Sequence, residues 1–175
     1  MITNKNIVLI GPMATGKTAI GKLLSKRFGK KFVDSDEEII KRNGVSIDHI
    51  FQIEGEHGFR LREEKILLEL IEEQDIILAT GGGSILSKNF RKRCKQEDCL
   101  VVYLFSDLET LYQRTKYSRK RPILKGKNKK EVLKKIIAER EEHYNECADI
   151  RIDSSAQNIE QTIDSIEKNL NNEKA

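Results

Sequence analysis

Short apolar runs alternate along the chain with longer segments in which apolar residues recur every three or four positions. The short runs are rich in Ile, Val and Leu and predict β-strands at 7–10, 31–33, 76–79, 100–104 and 150–152. The first, third and fourth runs are apolar throughout, as expected of strands buried on both faces of a parallel sheet.

The longer segments predict helices at 17–28, 37–42, 47–53, 56–73, 108–115, 130–144 and 159–170. Ser46 is a candidate N-cap, and Gly29, Gly44 and Gly55 separate segments as C-caps or turns do. Because strands and helices alternate, helices are expected on both faces of the sheet. The pattern therefore predicts an α/β protein of three layers, α/β/α, with a five-stranded parallel sheet.

A phosphate-binding motif, G-x-x-x-x-G-K-T, lies at Gly11 to Thr18 between the first strand and the first helix. The glycines let backbone N–H groups surround a polyphosphate, and the helix N-terminus adds a favourable field. Lys17 can reach the outer phosphates and the Thr18 hydroxyl can hold Mg²⁺. A chance glycine-rich turn is the alternative, but both flanking elements favour nucleotide binding.

Length and composition predict one domain over 1–175, with no second domain. The net charge of +4 arises from 32 basic and 28 acidic residues that are mixed along the chain, which suits anionic small molecules and does not demand nucleic acid. Three cysteines without metal or redox spacing favour a reducing compartment. We expect no signal segment and no membrane span, and hence a cytoplasmic protein.

Two carboxylates follow the second predicted strand. Alternation along a strand points the side chains of Asp34 and Asp36 the same way, at the sheet edge where ligands bind. One carboxylate can orient Mg²⁺ through water while the other accepts a hydrogen bond from an alcohol as general base. The alternative is that Asp36 is the N-cap of the next helix, and both roles are compatible.

Two further segments carry candidate ligand contacts. Arg60 can bind a carboxylate through two parallel hydrogen bonds, although a surface ion pair with Glu63 or Glu64 is the alternative, and His57 reads as an exposed helix residue. Three glycines at the end of the third strand, Gly81, Gly82 and Gly83, allow close backbone approach and favour a binding floor. The segment 116–128, rich in basic residues, is either a mobile lid or a solvated connection.

These motifs, in this order, resemble the shikimate kinase family, a bacterial type of small-molecule kinase with a phosphate loop. The family pattern has a phosphate loop, D-x-D, G-E-x-x-F-R, a triple glycine, R-P and a later arginine. The chain supplies them as GPMATGKT, Asp34-Ser35-Asp36, the segment from Gly55 to Arg60, Gly81 to Gly83, Arg121-Pro122 and Arg140. The resemblance covers nearly the whole chain and implies a fold like that of phosphate-loop NTPases and nucleoside monophosphate kinases.

The resemblance implies transfer of the ATP γ-phosphoryl group to the 3-hydroxyl of shikimate, a step toward chorismate and the aromatic amino acids. It implies catalytic roles for Lys17, Asp36 and Arg121, and shikimate contacts from Asp36, Arg60, Glu63, Gly81, Gly82, Gly83 and Arg140. It implies ATP contacts from Gly11, Ala14, Thr15, Gly16, Lys17, Thr18, Ala19, Arg114, Arg121 and Gln157. It also implies one Mg²⁺ per subunit, held by Thr18 and, through water, by Asp34.

The resemblance also implies a substrate-binding helical segment at about 34–62 and a lid at about 116–128. Two positions depart from the family. Ala14 stands where glycine is common, so a backbone conformation that accepts a β-carbon is expected there. The segment from Ser154 to Gln157 lacks an arginine often found near adenine.

Two rival functions stay open from the sequence. A kinase for gluconate or a nucleoside monophosphate is the first, and a nucleotide-gated or nucleic-acid-binding protein without phosphoryl transfer is the second. The second is disfavoured because the basic segment has a single aromatic residue, Tyr117, and no series of aromatics interleaved with its charges as stacking platforms. We expect ATP and shikimate as the partners, with neither nucleic acid nor membrane, and a monomer.

Overall fold

The computed structural model describes residues 4–117, 124 and 128–172. The strands are β1 (Asn6–Ile10), β2 (Lys31–Asp34), β3 (Ile76–Ala79), β4 (Cys99–Phe105) and β5 (Ile150–Asp153). The helices are α1 (Lys17–Phe28), α2 (Ser35–Asn43), α3 (Ile47–Leu70), α4 (Lys88–Cys94), α5 (Leu108–Thr115), α6 (Lys129–Cys147) and α7 (Ile159–Asn172). A short 3₁₀ turn covers Ser84–Leu86.

All five strands are parallel, in the order β2-β3-β1-β4-β5. Alternate residues of β1 face opposite layers: Val8 and Ile10 pack with α3, α4 and α6, whereas Ile7 and Leu9 pack with α1 and α7. The predicted three-layer α/β/α fold is thereby confirmed, as is the burial of β1, β3 and β4 on both faces. The carboxyl ends of the strands meet at one edge, where ligands bind in such sheets.

One helix differs from the sequence predictions, and two local details agree with them. The helix α4 was not predicted, because it has only seven residues and buries little apolar surface beyond Phe90 and Cys94. The two helices predicted on either side of Gly55 are both present within α3, separated by a kink where Gly55 adopts the non-helical angles φ 69° and ψ −174°. The Ser46 N-cap is confirmed, since its hydroxyl accepts a hydrogen bond from the His49 N–H at 3.2 Å.

The segment predicted as a lid lies mostly outside the described residues. Its two ends are joined, because Lys129 Nζ donates to the Lys116 carbonyl at 2.7 Å. Within it, Leu124 is buried against Met13 of the phosphate loop and Leu133 of α6. Among the described residues, no helix is both long and apolar enough to cross a membrane.

Candidate active site

The phosphate loop connects β1 to α1 in a conformation that requires its glycines. Gly11 has φ 139°, and a β-carbon there would lie 2.0 Å from the Leu104 carbonyl oxygen of β4. Gly16 has φ 89° and precedes the first residue of α1. Lys17 is buried, and its Nζ donates to the carbonyls of Gly11 at 2.8 Å and Pro12 at 2.6 Å. The ammonium group therefore lies inside the loop, where it can bind a phosphate.

The expectation for Ala14 is wrong. Ala14 adopts φ 64°, in the left-handed region that a β-carbon disfavours by about 1 kcal/mol. Its carbonyl accepts a hydrogen bond from Arg114 Nη1 at 3.0 Å, which joins the loop to α5. The loop thus keeps the backbone conformation of a glycine position although the side chain is a methyl group.

Asp34 and Asp36 occupy different positions at the junction of β2 and α2. Asp34 Oδ2 accepts from the Thr18 hydroxyl at 2.7 Å, and Asp34 Oδ1 accepts from the backbone N–H groups of Asp36 and Glu37. Asp34 is therefore the N-cap of α2, and the alternative that Asp36 is the cap is wrong. The assumption of strand alternation also fails, because β2 ends at Asp34 and Asp36 lies in the first helical turn.

Each glycine of the triple-glycine segment faces a different part of the site. A β-carbon on Gly81 would lie 2.7 Å from Glu63 Oε1 and 2.9 Å from Asp36 Oδ1. On Gly82 it would lie 3.2 Å from the Met13 nitrogen of the phosphate loop, and on Gly83 it would lie 2.3 Å from the Arg60 guanidinium. A side chain at any of the three positions would therefore press on a neighbouring part of the site, and the segment packs closely against all of them.

Arg60 is held by Glu63 beside this floor. Arg60 Nη1 donates to Glu63 Oε2 at 2.5 Å, and Nη2 lies 3.3 Å from Glu56 Oε1. Arg60 thus does pair with Glu63, but Glu63 is buried beside Gly81 rather than exposed, so a simple surface ion pair does not describe the contact. Glu64 instead accepts a hydrogen bond from Ser87.

Arg140 approaches from α6, and its side chain is buried. Burial raises the pKa of the Glu63 carboxyl, the Arg60 and Arg140 charges oppose that rise, and Asp36 adds to it. Both arginines therefore lie within electrostatic reach of Glu63. Among the described residues, the Nε atoms of both arginines and Glu63 Oε1 are buried without a hydrogen-bond partner. Such unpaired groups are costly unless a ligand or water satisfies them.

A cavity of about 260 Å³ lies between the phosphate loop, the two aspartates and the triple glycine. It is lined by Met13, Ala14, Gly16, Lys17, Thr18, Ala19, Asp34, Asp36, Thr80, Gly81 and Gly82. Lys17 suits an anion, and the carboxylates of Asp34 and Asp36 suit hydroxyl groups. The arrangement can place a phosphoryl donor and an alcohol in contact.

The nucleotide positions farther from the phosphates are only partly described. Arg114 Nη2 donates to the Ser154 carbonyl at 3.1 Å, which places Arg114 beside the turn that follows β5. Gln157 lies in that turn, and its Oε1 accepts from the Ser165 hydroxyl at 3.2 Å. His57 is exposed on α3, as expected. Arg121 lies outside the described residues.

Sequence reasoning missed two residues of this site. The hydroxyl of Ser35, which is fully buried between the two aspartates, accepts from the Gly81 N–H at 3.1 Å. The Tyr144 hydroxyl donates to the Gly82 carbonyl at 2.5 Å. A usable signal existed for Tyr144, because it follows Arg140 by four residues and such residues share a helix face.

Comparisons with known proteins agree with this geometry. The shikimate kinase family model matches residues 13–171. A shikimate kinase of Nitrosococcus oceani is 45% identical over 167 residues, which cover 95% of this chain and 87% of that protein. The structure of Acinetobacter baumannii shikimate kinase in complex with shikimate matches with a TM-score of 0.94 and 37% identity, over 98% of this chain and 96% of the other.

A gluconokinase from Sinorhizobium meliloti also matches, with a TM-score of 0.63 and 17% identity, over 97% of this chain and 93% of that chain. At this identity the likeness is one of fold alone. The family match spans the phosphate loop from residue 13, both aspartates, the triple glycine and both buried arginines. With that match and the 45% identity over nearly the whole chain, the protein belongs to the shikimate kinase family.

Proposed function

We propose that this chain transfers the γ-phosphoryl group of ATP to the 3-hydroxyl of shikimate, giving shikimate 3-phosphate and ADP. The observation that carries the proposal is that Arg60 lies against Gly83 and that both Arg60 and the buried Arg140 act electrostatically on Glu63, which lies against Gly81. Two guanidinium groups with unpaired buried Nε atoms suit a carboxylate, which the acceptor must therefore contain. Gluconate also has a carboxylate, but the family match favours shikimate.

The donor side consists of the phosphate loop and α1. Gly11, Thr15, Gly16, Thr18 and Ala19 place backbone N–H groups around the phosphates, and Lys17 neutralises the outer ones. We assign Arg114 and Gln157 to the adenine end, where Arg114 already contacts the backbone of Ala14 and Ser154. Arg121 is proposed to cover the phosphates from the lid.

The residues present fit a magnesium ion. The Thr18 hydroxyl and the Asp34 carboxylate are 2.7 Å apart at the edge of the cavity, and both are the oxygen ligands that Mg²⁺ prefers. Among the described residues, no cluster of three His, Cys, Asp or Glu side chains is arranged to hold a metal. One ion bound with the nucleotide, directly by Thr18 and through water by Asp34, would neutralise phosphate charge during transfer.

The acceptor side positions the attacking hydroxyl. Asp36 accepts the hydrogen bond of the 3-hydroxyl and then its proton, as the hydroxyl oxygen bonds to phosphorus and the bond from phosphorus to the ADP oxygen breaks. Arg60 and Arg140 bind the carboxylate at the far end, Glu63 orients Arg60, and the glycines form the floor. Most of the rate enhancement then comes from alignment and charge neutralisation.

The test is a coupled assay of ADP release with ATP, Mg²⁺ and each candidate acceptor. We expect turnover with shikimate and background release with gluconate or a nucleoside monophosphate. Lys17→Ala and Arg121→Ala should reduce kcat, whereas Arg60→Ala and Arg140→Ala should act mainly on the KM for shikimate. Turnover of gluconate but not shikimate would overturn the proposal. We further propose a cytoplasmic monomer that binds neither nucleic acid nor membranes.

A further inference from the structure

Tyr144 is a deeply buried side chain whose polar atom reaches the active site. It lies on α6, is 1% exposed, and is the largest of the fully buried side chains among the described residues. Its ring stacks on Tyr103 of β4, with centroids 4.9 Å apart and planes at 19°. The stack fixes the ring, so the position of the hydroxyl group is fixed as well.

The Tyr144 hydroxyl joins α6 to the middle of the binding floor. It donates to the Gly82 carbonyl at 2.5 Å, and Gly82 packs against the Met13 nitrogen of the phosphate loop. Burial raises the pKa of Tyr144, so the group is a neutral donor at physiological pH. This hydrogen bond therefore sets the distance between α6 and the segment that contacts the phosphate loop.

Arg140 lies one helical turn before Tyr144 on the same face of α6. The charge and donor groups of Arg140 lower the pKa of Tyr144, against the larger effect of burial. A hydroxyl can donate one hydrogen bond and still accept others. The same oxygen atom can therefore hold Gly82 and limit the orientation of Arg140.

We infer that Tyr144 is a positioning residue for the acceptor, because its hydroxyl holds the Gly82 carbonyl of the triple glycine to α6, the helix that carries Arg140. The inference rests on the proposed shikimate phosphorylation. Tyr144 bonds directly to Gly82 and shares its helix face with Arg140, both of which we assign to shikimate, whereas it reaches the phosphate loop only through Gly82. Loss of the hydroxyl should consequently weaken the binding of shikimate more than the binding of ATP.

The test compares Tyr144→Phe with Tyr103→Phe. Each variant removes one hydroxyl from the same aromatic stack, but among the described residues only the Tyr144 hydroxyl donates to the binding floor. For Tyr144→Phe we expect the KM for shikimate to rise about tenfold, because the Gly82 carbonyl loses its partner. The KM for ATP and kcat should stay within about threefold, and Tyr103→Phe should resemble the wild type.

Three results would overturn the inference: an unchanged KM for shikimate, equal rises in both KM values, or the same effect from Tyr103→Phe. A wild-type enzyme without shikimate turnover would instead refute the proposed function. If Tyr144→Phe does not fold, wild-type protein with ¹³Cζ-tyrosine gives a second measurement. The chain has four tyrosines, so Tyr→Phe variants at 103, 112 and 117 assign the Tyr144 resonance. The chemical shift of this resonance should change when shikimate is added, and an unchanged chemical shift contradicts the inference.

Discussion

Substitution of Gly83 by alanine tests the acceptor site through one added methyl group. The backbone at Gly83 has φ −94° and ψ −4°, which alanine adopts without strain. The effect therefore arises from the space the methyl group requires. In the present structure its β-carbon would lie 2.3 Å from the Cζ, Nη1 and Nη2 atoms of Arg60.

The magnitude follows from that distance. Carbon atoms in ordinary contact are about 3.5 Å apart, so the Arg60 guanidinium must move by about 1 Å. Such a displacement stretches its hydrogen bond to Glu63 and misaligns the carboxylate clamp. A misplacement of about 1 Å costs on the order of 10²-fold in rate, and we expect a loss of this size in kcat/KM for shikimate.

The assay measures ADP release at varied shikimate and at varied ATP, with thermal unfolding in parallel. The KM for ATP should not change, because the phosphate loop contacts Gly82 rather than Gly83. Gly44→Ala is the control: its φ of 68° makes alanine unfavourable, yet a β-carbon there has no neighbour within 4 Å. It should lower Tm and leave the kinetics intact. Wild-type kcat/KM for shikimate in Gly83→Ala would refute the reasoning.

Three further predictions concern the donor site and the fold. Lys17→Met should reduce kcat by at least about 10²-fold, because charge stabilisation of the phosphoryl group is lost; ADP release measures this, and a change below threefold contradicts it. Ala14→Gly should relieve the left-handed backbone by about 1 kcal/mol and raise Tm by about 3 °C, whereas a lower Tm in calorimetry would show that the methyl group is favourable. Arg93→Met should lower the free energy of unfolding by about 2 kcal/mol in urea titrations, because it removes two hydrogen bonds to Asp98. Its kcat/KM for shikimate should match the wild type, and an altered value would contradict a purely structural role.

The sheet could be predicted from sequence because its strands are short, apolar and separated by clear helical segments. The predictions that failed concern a short helix and a helix end that local contacts determine. The helix α4 carries Lys88, Arg91, Lys92 and Arg93, so its two buried apolar residues give little periodic signal. The alternative that Asp36 caps α2 is wrong by two residues, because both Asp34 and Asp36 are good caps and only the end of β2 decides between them.

Site residues that belong to a motif with fixed backbone geometry could be predicted from the sequence. Residues whose role depends on tertiary contacts could not. The phosphate loop and the triple glycine can be recognised in the sequence because their backbone geometry favours glycine at fixed positions. Ser35 and Tyr144 have no such signature, since their roles depend on β2 and α6 meeting the same segment in space. Ala14 shows the converse, because the surrounding loop imposes φ 64° on a residue that disfavours it.

With the function proposed above, the triple glycine lets one strand end contact the binding sites of both substrates. Consecutive Cα atoms are about 3.8 Å apart, so Gly81, Gly82 and Gly83 span less than about 8 Å. Within that length they contact the carboxylates, the phosphate loop and Arg60 in turn. Donor and acceptor groups are thereby located relative to one short, hydrogen-bonded segment rather than to separate loops. Phosphoryl transfer depends on alignment of the two reactants. Their separation varies least when both binding sites are built on the same short, rigid segment.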